Sequence, residues 1–347
     1  SEKKIDILYQ AVRDRMSWNG ESDLFAPRKL SEVWETKQGN SAEIHLLLAY
    51  LLRAAGIRAD PMLISTRDHG APIRTYPDLA SFNHLICYVE GDEEGLFLDA
   101  TDPLRPYSLA DSRDLNHWGW LLSRELPRWV AISPRSFVAM QQVYGSMRLD
   151  STGRVVGEIR ETTSGYTALA YRRVLKSSGE TAFVNQYLAG YLNAGELLDY
   201  SISSADLPEQ PLAIEWNIRS GDYATISGDR LLLRPMLMFA MTQNPLPAMT
   251  RYQPIDLGHP YQSSLVFSFE LPPDYEVESL PERLSVTFPQ REAIIDFRCQ
   301  VVAGILNVES SMMIQATLFP PEAYDLLRGM YRDLIDKHAE NIVLRRR

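Results

Sequence analysis

Apolar residues recur at helical spacing in Ile5-Asp6-Ile7-Leu8-Tyr9-Gln10-Ala11-Val12, which predicts a helix running to about Met16 and stopped by Trp18-Asn19-Gly20. A polar loop follows through Pro27, then a short helix over 29–36. The strongest helical pattern spans 41–55, where Ile44, Leu47, Leu48, Leu51 and Leu52 form one stripe. Asn40 or Ser41 can cap its start, and Gly56 supplies its stop. Strands are predicted next at 59–65, 85–90 and 96–99. The polar stretch 66–81 reads as a long loop and Gly91-Asp92-Glu93-Glu94-Gly95 as a hairpin loop.

Beyond about Pro134 the pattern turns mainly to strands. Segments 143–149 and 154–162 flank Asp150-Ser151-Thr152-Gly153, a hairpin signal. Residues 167–198 have helical character; strands are predicted at 212–218, 263–271, 284–288, 293–298 and 301–317. Pro, Gly and Asp separate them, as in an antiparallel sandwich. An amphipathic helix over 321–343 closes the chain, with Tyr324, Leu327, Tyr331, Leu334 and Ile335 on one side. The expected fold class is therefore α+β, in two domains: 1–135, a mixed core, and 137–347, a β-sandwich with a helical insertion and a C-terminal helix.

Composition narrows the function. The chain has 347 residues, 45% apolar and 23% charged, with a formal net charge of −10. Nucleic-acid binding needs clustered Lys and Arg, and the only basic run is Arg345-Arg346-Arg347. No apolar run approaches the ~20 residues that span a bilayer. Cys87 and Cys299 lie far apart and form no disulfide framework, and the histidines show no zinc spacing, so neither metal nor organic cofactor is expected. The start at Ser1 reads as a cut point within a longer chain.

The candidate chemistry lies in the first domain. Ser41 stands at a helix start, where free N–H groups and the helix dipole favour a nucleophile. His84 and Asp99 follow on successive strands, and with His84 opposite Asp99 or Thr101 their side chains share a face. Alternation puts Cys87 on the other face from His84, as a packing residue. Trp18, Trp34, Asn40 and Asn83 flank these positions and are candidates to line a groove.

These residues resemble the transglutaminase-like superfamily, the rearranged relatives of papain. Gly39-Asn40-Ser41-Ala42-Glu43 is similar to the family's Gly-x-Cys-x-Asp/Glu word, with serine at the cysteine position. Leu51-Leu52-Arg53-Ala54-Ala55-Gly56-Ile57-Arg58-Ala59, Phe82-Asn83-His84 and Leu98-Asp99-Ala100-Thr101 resemble the words that follow. The second domain resembles the β-sandwich that follows the core in bacterial exported members, through Arg251-Tyr252-Gln253-Pro254-Ile255-Asp256-Leu257-Gly258, Leu271-Pro272-Pro273-Asp274-Tyr275 and Glu340-Asn341-Ile342-Val343-Leu344. The resemblance implies a papain-like core, a periplasmic or otherwise exported setting, and a further β-rich domain ahead of this chain.

A thiol beside histidine rests as an ion pair, whereas a hydroxyl stays protonated and needs an aligned base. The expected function is thus a catalytically silent transglutaminase-like protein that binds a peptide, a cell-wall fragment or a protein partner. One alternative is a Ser41–His84–Asp99 acyl-transfer hydrolase. Another is a structural module acting through edge strands of the sandwich.

Overall fold

A computed structural model describes residues 2–76, 78–91, 95–132, 138–189, 192, 195–221 and 223–347. The chain forms two compact units, Ser1–Phe137 and Val138–Arg347. The junction expected at 135–137 and the acidic hairpin tip at 92–94 lie outside the described residues.

The first unit contains α1 (Glu2–Arg15), β1 (Ser17–Trp18), α2 (Leu30–Thr36), β2 (Gln38–Gly39), α3 (Ser41–Ala54), β3 (Ala59–Ile64), β4 (His84–Val89), β5 (Leu96–Leu98), β6 (Trp118–Leu121) and β7 (Arg128–Ala131). Strands β3 to β7 make an antiparallel sheet in the order β5-β4-β3-β6-β7. Helix α3 is the spine. Its Ile44, Leu47, Leu48 and Leu52 are buried with Ile5, Tyr9 and Val12 of α1 and with Cys87, Val89 and Leu98 of the sheet. Cys87 is therefore a packing residue, and burial pushes its thiol pKa up. Strands β6 and β7 go beyond the sequence-based expectation. Their Trp118-Gly119-Trp120-Leu121 run is too short to show a decisive period.

The pairing Cys87↔Leu98 and Tyr88↔Phe97 fixes the register of the β4–β5 hairpin. Carried past the end of β5, it sets His84 opposite Thr101 and keeps Asp99 on the same face as His84, the arrangement the alternation requires.

The second unit contains β8 (Ala139–Leu149), β9 (Val155–Ser164), α4 (Gly165–Ser178), α5 (Glu180–Phe183), β10 (Glu196–Ser203), β11 (Leu212–Ser220), β12 (Ala224–Ser227), β13 (Arg230–Leu233), β14 (Ile255–Asp256), β15 (Tyr261–Glu270), β16 (Tyr275–Ser279), β17 (Leu284–Thr287), β18 (Ala293–Val302), β19 (Ile305–Ile314), β20 (Leu318–Phe319), α6 (Tyr324–Ala339) and β21 (Ile342–Arg346). An eight-stranded sheet runs β10-β11-β9-β8-β15-β19-β18-β17. All its pairs are antiparallel except β8 with β15. A second sheet runs β12-β13-β21-β16. One apolar core joins Trp216, Phe267, Phe269 and Phe297 of the large sheet to Leu231, Leu233, Ile342 and Leu344 of the small one and to Leu327 and Leu334 of α6. The second layer of the sandwich is thus shared between strands and helices. Gly145 permits the close β8–β15 approach, since a Cβ there would meet the Phe267 ring at 2.4 Å.

Two boundaries differ from the pattern. The helical reading of 167–198 overran into β10, whose polar Asp199, Tyr200 and Ser201 belong to an exposed edge strand. The closing helix ends at Ala339, and Ile342 and Leu344 become core residues of β21. The fold is α+β, with helices and antiparallel strands in several sheets.

Candidate functional site

Local chemistry at the start of α3 is tightly specified. Asn40 caps the helix by accepting from the Glu43 N–H at 2.9 Å, while Glu43 Oε2 accepts from the Asn40 N–H at 3.1 Å. Arg28 clasps Glu43 from outside through bonds of 2.8 and 2.6 Å, and this pair holds the Glu43 carboxyl below its ordinary pKa. The helix start cannot shift without breaking these contacts. Ser41 is presented next, completely buried.

The Ser41 hydroxyl does not reach His84. It donates to the Asp23 carbonyl at 3.0 Å and accepts from the Asp23 N–H at 2.9 Å. The Ser41 N–H, the donor that a helix start offers to an incoming oxygen, is also taken, by the Glu21 carbonyl at 3.1 Å. That carbonyl receives a second bond from Trp18 Nε1 at 2.9 Å. His84 Nδ1 lies 3.2 Å from Ser22 Oγ. Residues 21–23 therefore engage Trp18, Ser41 and His84 one after another.

Behind His84 lies a buried polar network. His84 Nε2 is 3.7 Å from Asp99 Oδ2, longer than a hydrogen bond. Asp99 Oδ1 accepts from the Thr101 N–H at 2.9 Å and the Thr101 hydroxyl at 2.6 Å, with His45 Nε2 at 3.1 Å. Arg105 Nη1 is 2.7 Å from Asp99 Oδ2. Tyr9 on α1 donates to the Asp99 carbonyl at 2.8 Å, tying the network to the helical core.

The electrostatics follow from these neighbours. Burial pushes the His84 imidazole below its ordinary pKa and outweighs the opposing pull of Asp99. Burial also works against charge on Asp99, yet the Arg105 guanidinium holds its carboxyl well below the carboxylate range. Asp114 behaves oppositely. Burial, with Asp99 and Asp111 nearby, pushes it well above that range, and its oxygens make no hydrogen bond among the described residues. Burial thus favours the neutral imidazole at His84 and the neutral acid at Asp114, while Arg105 favours the carboxylate at Asp99.

His45, His84 and Asp99 bring potential ligand atoms within 4.8 Å of one another, the one such group among the described residues. A cation has little to gain there. Arg105 already neutralises Asp99, and both His45 nitrogens are engaged, Nδ1 with the Leu85 carbonyl at 2.6 Å and Nε2 with the Ala100 N–H at 2.9 Å.

The structure separates the expected positions as follows. His84 and Asp99 come together, while the Ser41 hydroxyl is bonded to the Asp23 main chain and not to His84. Trp18 joins the site through its indole N–H, and Arg113 lies 4.9 Å over its ring. Asn40 caps α3 and donates to the Phe25 carbonyl at 3.0 Å. Asn83 clamps Thr66, at 2.8 Å to its N–H and 2.7 Å to its hydroxyl. Trp34 packs beneath Arg15, whose guanidinium is 4.1 Å from the ring centre. Sequence reading missed Ser22, His45 and Arg105 and the main chain of 21–23. Those contacts use groups that every residue carries, or charges with no characteristic spacing.

Comparisons with known proteins give the fold a wider setting. Residues 229–344 match a family described as a domain of unknown function with solved structure, DUF3858. No curated protein sequence matches the chain. A crystal structure of a "putative protease" from Parabacteroides distasonis ATCC 8503 is similar, with a TM-score of 0.55 and 13% identity. The similarity covers 99% of this chain and 52% of that one, so the chain spans about half the length of its structural relative.

Proposed function

We propose that the first unit is a papain/transglutaminase-like core that has lost its chemistry and serves as a binding module for a peptide, a cell-wall fragment or a protein partner. One observation carries this reading. Ser41, at the nucleophile position, is wholly buried, and its hydroxyl spends both its donor and its acceptor capacity on the Asp23 main chain. A serine nucleophile must instead give its proton to an aligned histidine. The resemblance to exported proteins supports a periplasmic or otherwise exported setting.

Treatment with a fluorophosphonate and with iodoacetamide, followed by peptide mapping, tests the proposal. It predicts no adduct at Ser41 or at the buried Cys87; robust labelling of Ser41 would falsify it.

A Ser–His–Asp hydrolase remains the second reading, on a different serine. A hydroxyl does sit at His84 Nδ1, that of Ser22, which is exposed to solvent. The two N–H donors nearby are occupied by the preceding carbonyl, Glu21, which leaves an oxyanion at Ser22 without them. The same mapping separates the readings, since this one requires an adduct on Ser22.

A further inference from the structure

Residues 21–23 lie on the candidate site as a ligand would. The Glu21 carbonyl takes two converging donors, Trp18 Nε1–H and Ser41 N–H. Asp23 offers its N–H and its carbonyl together to one hydroxyl, that of Ser41. Between them Ser22 faces His84. All of these bonds but the last are made to main chain, which any extended peptide carries. The groups that receive the segment therefore read a peptide backbone with little regard to its side chains.

The segment itself is lightly held by apolar contact. Glu21, Ser22 and Phe25 are exposed, and the first apolar anchor is Leu24, just past the segment, partly buried against Ala42, Leu63, Phe82 and Leu85. Polar ties fix its flanks: Asn19 accepts from the Glu21 N–H at 3.0 Å, and Asn40 donates to Phe25. Gly20, at φ +90, permits the turn into it. Short stretches held by hydrogen bonds with little buried apolar surface open well below the global unfolding free energy.

Serine suits this arrangement better than cysteine. A hydroxyl donates and accepts strongly at about 2.7–3.0 Å, whereas a thiol does both weakly. The change from sulfur to oxygen turns a nucleophile position into a clamp for a strand of peptide.

We infer that residues 21–23 are an internal occupant of this site, and that the site takes an external extended peptide by exchanging it for that segment. The inference rests on the binding reading proposed above and names its ligand chemistry, a peptide main chain that places one carbonyl between Trp18 and Ser41.

Ser41→Cys converts the buried position into a reporter. Its alkylation by iodoacetamide is followed in the otherwise unaltered chain, and in a chain that also carries Glu21→Gly, Ser22→Gly and Asp23→Gly, with Leu24 and its packing kept. The expected result is slow alkylation in the first and a rate about 10-fold or more faster in the second. A synthetic peptide Gly-Glu-Ser-Asp-Leu-Phe should restore protection in the second chain and act far more weakly on the first, because the tethered segment has an effective concentration in the millimolar range. Equal alkylation rates in the two chains, or no protection by the peptide at millimolar concentration, overturns the inference. Hydrogen exchange on the unaltered chain supplies a readout independent of variant folding. The 21–24 amides should exchange far faster than the centre of α3; protection equal to that of α3 also overturns it. Neither result bears on whether Ser41 is nucleophilic, which the labelling experiment decides.

Discussion

At the scale of single residues, the bonds of the Ser41 hydroxyl to the Asp23 main chain decide what position 41 can do. Removing it strips the Asp23 N–H and carbonyl of their shared partner in a part-buried setting. Ser41→Ala should therefore destabilise the first unit by about 1–3 kcal/mol. Thermal unfolding followed by tryptophan fluorescence reports mainly on that unit, since Trp216 is the only tryptophan outside it. A spectator serine would give no shift. The order Ser41, His84, Asp99 was legible in the sequence because motif words and strand alternation both pointed to it. The clamp was not, because Asp23 contributes only N–H and C=O, and no spacing marks a main-chain partner. Arg105 was equally hidden: it is buried against Asp99 through a turn that sequence periodicity does not describe.

At the scale of elements, α3 was readable from its stripe, its cap and its glycine stop, and the structure adds that Asn40 and Glu43 close the cap reciprocally. Of the short strands, β5 and β17 were readable, but those of the second sheet were not. β12 and β13 pair as a local hairpin, but β21 and β16 join it from segments far apart in the chain, so their period is set by tertiary pairing. Helix α6 carries a device of its own. His338 Nδ1 accepts from the Met241 N–H at 2.9 Å, and Nε2 lies 2.8 Å from the buried Ser310 hydroxyl on β19. Burial lowers the His338 pKa to about 4. The sign is that of a histidine kept neutral on folding. The unfolded chain takes up a proton as pH falls below about 6.5 and the folded chain does not until about 4. Stability is full above the upper value and declines across this window by up to roughly 3 kcal/mol. The opening free energy of α6, taken from hydrogen exchange after correction for the intrinsic pH dependence of amide exchange, should fall as pH drops between these limits, and His338→Gln should flatten the dependence. A pH-independent α6 contradicts it. His84, also held low, acts in the same direction within the first unit.

At the scale of the molecule, each unit has its own core, and the binding role proposed above belongs to the first. The large sheet leaves β10 and β17 as edges. β10 exposes Leu198 and Tyr200 but also carries Glu196 and Asp199, charges that discourage edge-to-edge pairing. No described helix is long and apolar enough to cross a membrane. The central claim concerns chemistry at one position, and turnover tests it most directly. Purified protein and its Ser41→Ala variant are assayed side by side on panels of ester and peptide substrates. A silent core gives no turnover above background with either protein. Turnover by the unaltered chain that disappears in the variant would contradict the account, because it would make the buried hydroxyl a nucleophile after all.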